Sequence, residues 1–198
     1  MSTFKFHARQ ARSTEAEAVI DLYLTAFADE AVISWALPDP ETRHSYLEEN
    51  SRPALAAAVE SGLVILAASP SGELAGASSW IPHDPADSDE SEPEVLDGDT
   101  PARRMAAAGR ATQDRRPDVP HLLLSSMATA PVHRGRGAGS AMITAGVDRA
   151  AQLGLPIYLE ASTPSSRRLY ERFGFRDHGE PISLPENGPM LQPMWLGR

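Results

Sequence analysis

Residues 133–140 read HRGRGAGS, and this stretch decides what kind of fold the chain adopts. An apolar run, LLLSSMAT at 122–129, precedes it, and apolar residues at helical spacing follow it from 138 to 153. That order predicts a strand, a glycine turn and a helix. Glycine allows positive φ, so several backbone N–H groups can converge where the helix begins, next to the positive end of its dipole. The turn therefore predicts an anion site.

Two arginines lie within the turn and indicate the kind of anion. Arg134 and Arg136 add fixed charge and forked N–H donors, which favours a diphosphate over a neutral ligand. A Walker phosphate loop needs a Gly-Lys-Ser/Thr sequence, and Lys5 is the only lysine of the chain. The sequence therefore excludes a Walker-type nucleotide site.

A dinucleotide fingerprint is the second nucleotide alternative. If it began at Gly137, it would need glycine or alanine where the chain has Met142, although Glu160 lies about where a ribose-binding acid belongs. A nucleotide-dependent oxidoreductase therefore stays open as a third functional hypothesis, behind the two described below.

Two sequence blocks together resemble the GNAT-type N-acetyltransferases. MATAP at 127–131 followed by the pattern R-x-x-G-x-G at 134–139 resembles the coenzyme A site of that family. IYLEAST at 157–163, a helical stretch at 164–169 and YERFGF at 170–175 resemble its next strand, helix and aromatic-Gly-Phe ending. Within the family the chain resembles the puromycin N-acetyltransferase branch in its length, in AFAD at 26–29 and in LEAS at 159–162.

The resemblance implies an α/β fold of mixed α+β type. We expect a single domain over residues 1–198, with a central, mixed but mostly antiparallel twisted sheet of about six to seven strands. Helices would cover both faces of the sheet, and the strands before and after the glycine turn would splay apart at the acyl-CoA site.

The resemblance also implies acetyl-CoA as co-substrate, held by the strand end, the glycine turn and one residue of the next helix. The residues are Met127, Ala128, Thr129, Arg134, Gly135, Arg136, Gly137, Ala138, Gly139, Ser140 and Ser166. Backbone groups of the first three would pair with the pantetheine arm as an added strand does, and an N–H near Met127 would polarise the thioester carbonyl. Ser166 departs from the asparagine usual in this branch, which weakens that contact.

For catalysis the resemblance assigns Tyr170 as the general acid, because the family places a tyrosine near the sulfur and a phenol can donate a proton to a departing thiolate. Packing of the helix on the sheet is the alternative role for Tyr170. An alkylammonium acceptor must also lose a proton before attack. Glu30, Glu160 and His121 are the candidates for that base, and we select Glu30.

The segment after the first predicted helix lines the acceptor pocket in the family. Ile33 and Trp35, together with Glu30, are therefore candidate contacts of the acceptor. Burial of Ile33 and Trp35 in the core is an equally open interpretation.

Composition limits the function classes. The chain has no cysteine, which excludes disulfides and a cysteine nucleophile, and no residues show metal-ligand spacing. The formal charge of −9 argues against nucleic acid and is compatible with a cationic amine. No signal peptide or membrane span is predicted, so we expect a cytoplasmic protein that binds no membrane. We also expect the protein to be a monomer or a homodimer.

The pattern along the chain predicts the other elements. We expect a strand at 4–12, a helix with a capping box at Thr14 and Glu17, one or two helices at 41–60 interrupted at Pro53, and a hairpin at 63–81. The stretch 82–101 is rich in Asp and Glu and predicts a flexible acidic loop. A helix at 103–114 with its arginines exposed, a strand at 156–163, a helix from Pro164 and a C-terminal hairpin follow, and His133 is predicted to lie at the surface.

The sequence favours two hypotheses about function. The first is an acetyl-CoA-dependent transferase that acts on the primary amine of a small molecule, such as an antibiotic or another metabolite. The second is a non-catalytic or regulatory module that binds acyl-CoA and lacks a competent base.

Overall fold

The structure is a computed structural model that describes residues 6–87 and 100–197. Its central sheet contains eight strands: β1 His7–Gln10, β2 Val64–Ala68, β3 Leu74–His83, β4 His121–Thr129, β5 Ile157–Ala161, β6 Arg176–Asp177, β7 Ile182–Ser183 and β8 Met190–Leu196. The strand order is β1-β2-β3-β4-β5-β8-β6, and β7 pairs with β8. Only β4 and β5 are parallel, so the predicted mixed, mostly antiparallel sheet is confirmed.

The helices of the described residues are α1 Ala16–Phe27, α2 Ala31–Ala36, α3 Pro40–Tyr46, α4 Arg52–Glu60, α5 Thr100–Gln113, α6 Ala138–Leu153 and α7 Pro164–Glu171. A π-helical turn over Leu47–Ser51 joins α3 to α4. Pro53 lies in the first turn of α4, where its missing N–H leaves no intrahelical bond unmade. The interruption predicted at Pro53 is therefore an irregular turn followed by a new helix start. The short helix α2 was not predicted.

Helices cover both faces of the sheet. α6 packs on one face, where Trp80, Leu122, Met142 and Ile157 are almost completely buried. α1 and α4 pack on the opposite face around Val19, Ile20 and Val59. A third, smaller cluster joins α5 to β7 and β8. The sheet therefore has a full apolar layer on each side, as its near-continuous apolar strands require.

The parallel strands β4 and β5 separate partway along their length. Their pairing ends at Leu123 opposite Tyr158, although β4 continues to Thr129 and β5 to Ala161. This confirms the splayed sheet expected at the glycine turn. The gap opens at the carboxyl ends of the two strands, which is the usual position of a ligand site in an open α/β sheet.

A β-bulge in β4 lies at the point where the gap begins. Ser126 pairs with Ser79 and Leu124 with Trp80, so Ser125 is an extra residue on β4. A bulge shifts the alternation of side chains by one position. Both Ser125 and Ser126 therefore face the side of the sheet that carries α1 and α4.

Three local predictions are wrong. The predicted capping box at Thr14 and Glu17 is not formed, because a 3₁₀ turn at Ser13–Glu15 precedes α1 and the Arg12 N–H donates to Glu15 at 2.9 Å. Glu17 instead pairs with Arg52 at 2.7 Å.

The other two errors concern the exposure of basic side chains. Arg104 of α5 is not directed to solvent, since it donates to the Trp35 carbonyl at 2.9 Å and pairs with Glu186. Arg110 also has a buried Nη1 atom. His133 is buried because the turn after β4 folds it against Phe6, at 5.7 Å between ring centroids, and beside Glu73.

The predicted acidic loop at 82–101 is only partly described. β3 extends to His83, a 3₁₀ turn occupies Pro85–Asp87, and α5 begins at Thr100. Residues 88–99 lie outside the described residues, so the flexible loop stays a prediction. No helix in the described ranges combines the length and apolarity needed to cross a membrane.

Candidate active site

A cleft of about 700 Å³ lies between the end of β4, the turn at 131–137 and α7. We call it the long cleft. It is lined by Ala26, Phe27, Asp29, Glu30, Ala31, Met127, Ala128, Thr129, His133, Arg134, Gly135, Gly137, Gly139, Ser140, Ser162, Thr163, Ser165, Ser166, Arg168, Leu169 and Arg172. Of the residues predicted to bind coenzyme A, Arg136 and Ala138 are the two that do not line it. The Ala138 side chain instead packs in the core, with 1% of its surface exposed.

The start of α6 presents backbone donors to the long cleft. Ala141 N–H donates to the Gly137 carbonyl at 3.0 Å, and no side chain of the described residues caps this helix start. The N–H groups of the three preceding helical residues therefore have no acceptor within the helix. Gly135 and Gly137 have φ of +72° and +105°, values that a side chain would strain. This arrangement fits the diphosphate expected from the sequence.

Arg134 also makes bonds within the protein. Its Nε donates to the Thr129 carbonyl at 3.3 Å and its Nη2 to the Ala26 carbonyl at 3.4 Å. The side chain therefore links the end of β4 to the end of α1, in addition to bringing positive charge to the long cleft.

Helix α7 and the residue that follows it contribute two arginines that the sequence reasoning missed. Arg168 and Arg172 line the long cleft on the same side of the helix as Ser165 and Leu169. Spacings of three, four and seven residues place side chains on one helix face. That spacing was visible in the sequence and would have found them.

A second cleft, of about 390 Å³, continues from the long cleft into the gap between β4 and β5. We call it the inner cleft. It is lined by Phe27, Glu30, Val32, Ile33, Met105, Ala108, Gly109, Thr112, Arg116, Leu123, Leu124, Ser125, Ser126, Met127, Glu160, Ser162, Ser166, Tyr170 and Leu191. Five of these residues, namely Phe27, Glu30, Met127, Ser162 and Ser166, also line the long cleft. The two clefts therefore meet.

Two predicted site residues lie elsewhere. The indole N–H of Trp35 donates to the Glu186 carbonyl at 3.4 Å, and the Arg104 guanidinium lies over its ring, 5.6 Å from the centroid. His121 is completely buried at the opposite end of β4, about 20 Å along the strand from Met127. Its position is too remote for a base that acts at the junction of the clefts.

Tyr170 lies in the inner cleft, close to the residues that both clefts share. It lines the inner cleft, one helical turn after Ser166, which lines both clefts. Tyr170 is 6% exposed, and its ring packs against Phe175 at 5.8 Å between centroids. Burial raises the pKa of the Tyr170 phenol well above its ordinary value, so the hydroxyl keeps its proton at neutral pH.

The two carboxylates of the inner cleft have different surroundings. Glu30 caps α2, and its Oε2 accepts the N–H of Val32 at 2.7 Å and of Ile33 at 3.0 Å. Glu160 has a buried Oε1 atom with no hydrogen-bond partner among the described residues. Burial raises the pKa of Glu160, although the nearby Arg116 guanidinium acts to lower it.

Tyr23 and Ser126 form a polar pair that sequence reasoning missed. The Tyr23 hydroxyl lies 3.1 Å from Ser126 Oγ, and its ring stacks on Phe27 at 5.2 Å. The bulge at Ser125 turns Ser126 toward Tyr23, and no sequence pattern reveals that bulge. In the described ranges no three His, Asp or Glu side chains group so as to hold a metal ion, and metal-free catalysis stays a prediction.

The sequence profile of the acetyltransferase (GNAT) family matches residues 17–175, most of the chain. The chain belongs to this family, as its sequence blocks indicated, and is therefore an acyltransferase. Acetyl-CoA is the co-substrate of the family, and the donors around the start of α6 fit its diphosphate.

Solved structures with this fold cover nearly the whole chain. A Corynebacterium glutamicum protein described as histone acetyltransferase HPA2 and related acetyltransferase is 24% identical, with a TM-score of 0.69 over 96% of this chain and 95% of that one. Drosophila melanogaster polyamine N-acetyltransferase is 21% identical, with a TM-score of 0.70 over 98% and 100%. Arylalkylamine N-acetyltransferase 2 of Aedes aegypti is 16% identical, with a TM-score of 0.71 over 96% and 98%. At these identities the likeness concerns the fold.

Proposed function

We propose that the protein is an acetyl-CoA-dependent N-acetyltransferase that moves an acetyl group to a primary amine of a small molecule, directly and in a ternary complex. The observation that carries this proposal is that the long and inner clefts meet, with Tyr170 lining the inner cleft one helical turn after the shared residue Ser166. Two substrates can be bound at once, one in each cleft, with their reacting groups at the junction. Holding both in this way converts a bimolecular reaction into an effectively unimolecular step.

The long cleft would hold acetyl-CoA, which supplies the activated acetyl thioester. Amides of Gly139 and Ser140 and the charge of Arg168 and Arg172 would meet the diphosphate. The backbone of residues 127–129 would pair with the pantetheine amides as an added strand does. A backbone N–H near Met127 would then stabilise the oxyanion that forms during transfer.

Tyr170 would act as the general acid. Its buried phenol remains protonated at neutral pH and lines the inner cleft near the junction, where the thiolate would depart. Glu30 is the base proposed from the sequence, and it lines both clefts. Two N–H groups already bind its Oε2 atom, however, so this carboxylate also serves as the cap of α2.

An amine acceptor is supported by two independent lines. Structures of similar fold include enzymes named for polyamine, agmatine and arylalkylamine acetylation. The net charge of −9 is favourable for attracting a cation. An antibiotic of the puromycin type is one candidate acceptor, supported by the resemblance at 26–29 and 159–162. We further propose a cytoplasmic, single-domain protein, monomeric or homodimeric, that binds neither nucleic acid nor membranes.

Thiol release with a panel of primary amines tests the proposal. Because the chain has no cysteine, a thiol reagent reports only free coenzyme A and gives no protein background. We expect amine-dependent release of thiol and an N-acetylated product by mass spectrometry. Calorimetric binding of acetyl-CoA without transfer to any amine would instead identify a non-catalytic acyl-CoA-binding module. Binding of NAD in place of acetyl-CoA would support the oxidoreductase.

A further inference from the structure

Glu160 lies on β5 at the point where this strand leaves β4. Alternate residues of β5, Ile157, Leu159 and Ala161, are buried in the core against α6. Because side chains alternate along a strand, Glu160 points to the opposite face and lines the inner cleft. Its carboxylate is therefore directed to the side of the sheet where an acceptor would bind.

The Oε1 atom of Glu160 is buried and has no hydrogen-bond partner in the described part of the chain. The Arg116 charge, the Tyr158 hydroxyl and the backbone N–H of Glu160 act to lower the pKa of the carboxyl group, and together they do not offset the effect of burial. Arg116 also lines the inner cleft, with a buried Nε that bonds to no described residue, yet no direct ion pair joins it to Glu160. Buried polar atoms in native proteins are nearly always paired, so an unpaired oxygen on a side chain that lines a cleft indicates a ligand that donates to it.

An apolar pocket of about 350 Å³ opens from the inner cleft between α1, α4 and the sheet. Phe27, Ile33, Met105, Ser125 and Ser126 line both cavities, so the two are continuous. The rest of its described wall is apolar or uncharged polar, and no charged side chain from residues 6–87 or 100–197 lines it. A cavity of about 150 Å³ already accepts benzene, so this apolar pocket has room for an aromatic ring with substituents.

We propose that Glu160 binds the ammonium group of the acceptor and takes its proton, while the apolar pocket holds an uncharged, ring-sized body. The acceptor class is then an aryl- or alkyl-substituted monoamine rather than a polyamine. This inference rests on the proposed amine acetylation. A second ammonium in the apolar pocket would meet no charged partner among the described residues, which is strongly unfavourable.

The protons balance through the two side chains. The ammonium gives one proton to the Glu160 carboxylate, and the neutral amine forms the C–N bond with the acetyl carbon while the C–S bond breaks. Tyr170 protonates the departing sulfur, and its phenolate is restored by the second proton of the attacking nitrogen through water. Glu160 then releases its proton to solvent, so one proton is produced for each turnover.

Acceptor selectivity is the first test. We expect 2-phenylethylamine to be acetylated with a kcat/KM at least about tenfold above that of putrescine, since removing one pocket contact already changes specificity by about tenfold or more. A kcat/KM for putrescine equal to or above that of the aryl monoamine would overturn the assignment of the apolar pocket.

Substitution of Glu160 is the second test. Glu160→Gln should lower kcat/KM for the amine by about 10²-fold or more, the usual contribution of a general base, and leave the acetyl-CoA Kd unchanged. It should also remove the acidic limb of the pH profile that ionisation of Glu160 produces in the wild type. Glu160→Asp should restore part of the rate, because a carboxylate remains.

Glu49 is an exposed glutamate on the turn after α3, and Glu49→Gln is the matched control. This variant should have wild-type activity.

The outcomes separate the two proposals. If the wild type binds acetyl-CoA and acetylates no amine, the proposed function is wrong and this inference with it. If the wild type acetylates amines and Glu160→Gln keeps that rate while Glu30→Gln loses it, only the role of Glu160 is overturned. Thermal melting of each variant shows that a loss of rate does not come from unfolding.

Discussion

One hydroxyl group distinguishes Tyr170 from phenylalanine, and the Tyr170 side chain lines the inner cleft. In Tyr170→Phe the ring would still pack on Phe175, so we expect the melting temperature and the acetyl-CoA Kd to stay close to wild type. The kcat should fall by about 10²-fold, because the departing thiolate loses its proton donor. Single-turnover and steady-state thiol release measure this change. An unchanged kcat would leave Tyr170 with a packing role only.

At the scale of single residues, the sequence reveals those positions at which the local backbone conformation selects the residue type. Gly135 and Gly137 could be predicted as turn residues from the sequence, because their positive φ angles favour glycine. Glu160 was a candidate base that the sequence did not select over Glu30, and the feature that favours it in the structure is the missing partner of its Oε1 atom. Pairing of that kind is set by tertiary neighbours and leaves no pattern along the chain.

Helix α6 lies closely on β3 because Gly146 faces the Trp80 ring. A Cβ atom at position 146 would overlap this ring, which is completely buried. Gly146→Ala should therefore destabilise the fold by about 1–3 kcal/mol or more, as overpacking does, measured by urea unfolding. Gly109→Ala in α5 is the matched control, because its Cβ would meet no atom. It should be neutral or slightly stabilising, by up to about 1 kcal/mol.

Elements with strong periodicity were predictable. The hairpin of β2 and β3, the helix after the glycine turn and its stop at Gly154 match the pattern of apolar residues and glycine. Helix α2 could not be predicted from the sequence, since six residues give too little periodicity. Its start also depends on the carboxylate of Glu30. The bulge at Ser125 was likewise invisible, because strand register is set by the partner strand.

Across the whole molecule, buried phenols link stability to alkaline pH. Burial raises the pKa of Tyr23, Tyr158 and Tyr170 above the value of about 10 for a free tyrosine. Above that pH the unfolded chain releases these protons while the folded chain retains them, so the free energy of unfolding falls as pH rises. Urea midpoints should therefore decrease between pH 8 and 11. Lys5 is the only lysine, so few other side chains titrate there.

Tyr158→Phe provides the check on this effect. It removes one titrating phenol, at the cost of a 3.3 Å bond to the Arg115 carbonyl, so its midpoint should be lower at pH 8 but decline less steeply with pH. A slope equal to that of the wild type would show that ionisation of Tyr158 does not contribute to alkaline unfolding.

The position of β8 has a consequence for how the protein is made. β8 lies between β5 and β6 in the sheet, although it is the last strand of the chain. During synthesis β5 therefore has no antiparallel neighbour until residues 190–196 leave the ribosome. Domains fold as units once their contacts are available, so we expect nascent chains shorter than this to expose an open strand edge to chaperones and to carry no competent acceptor site.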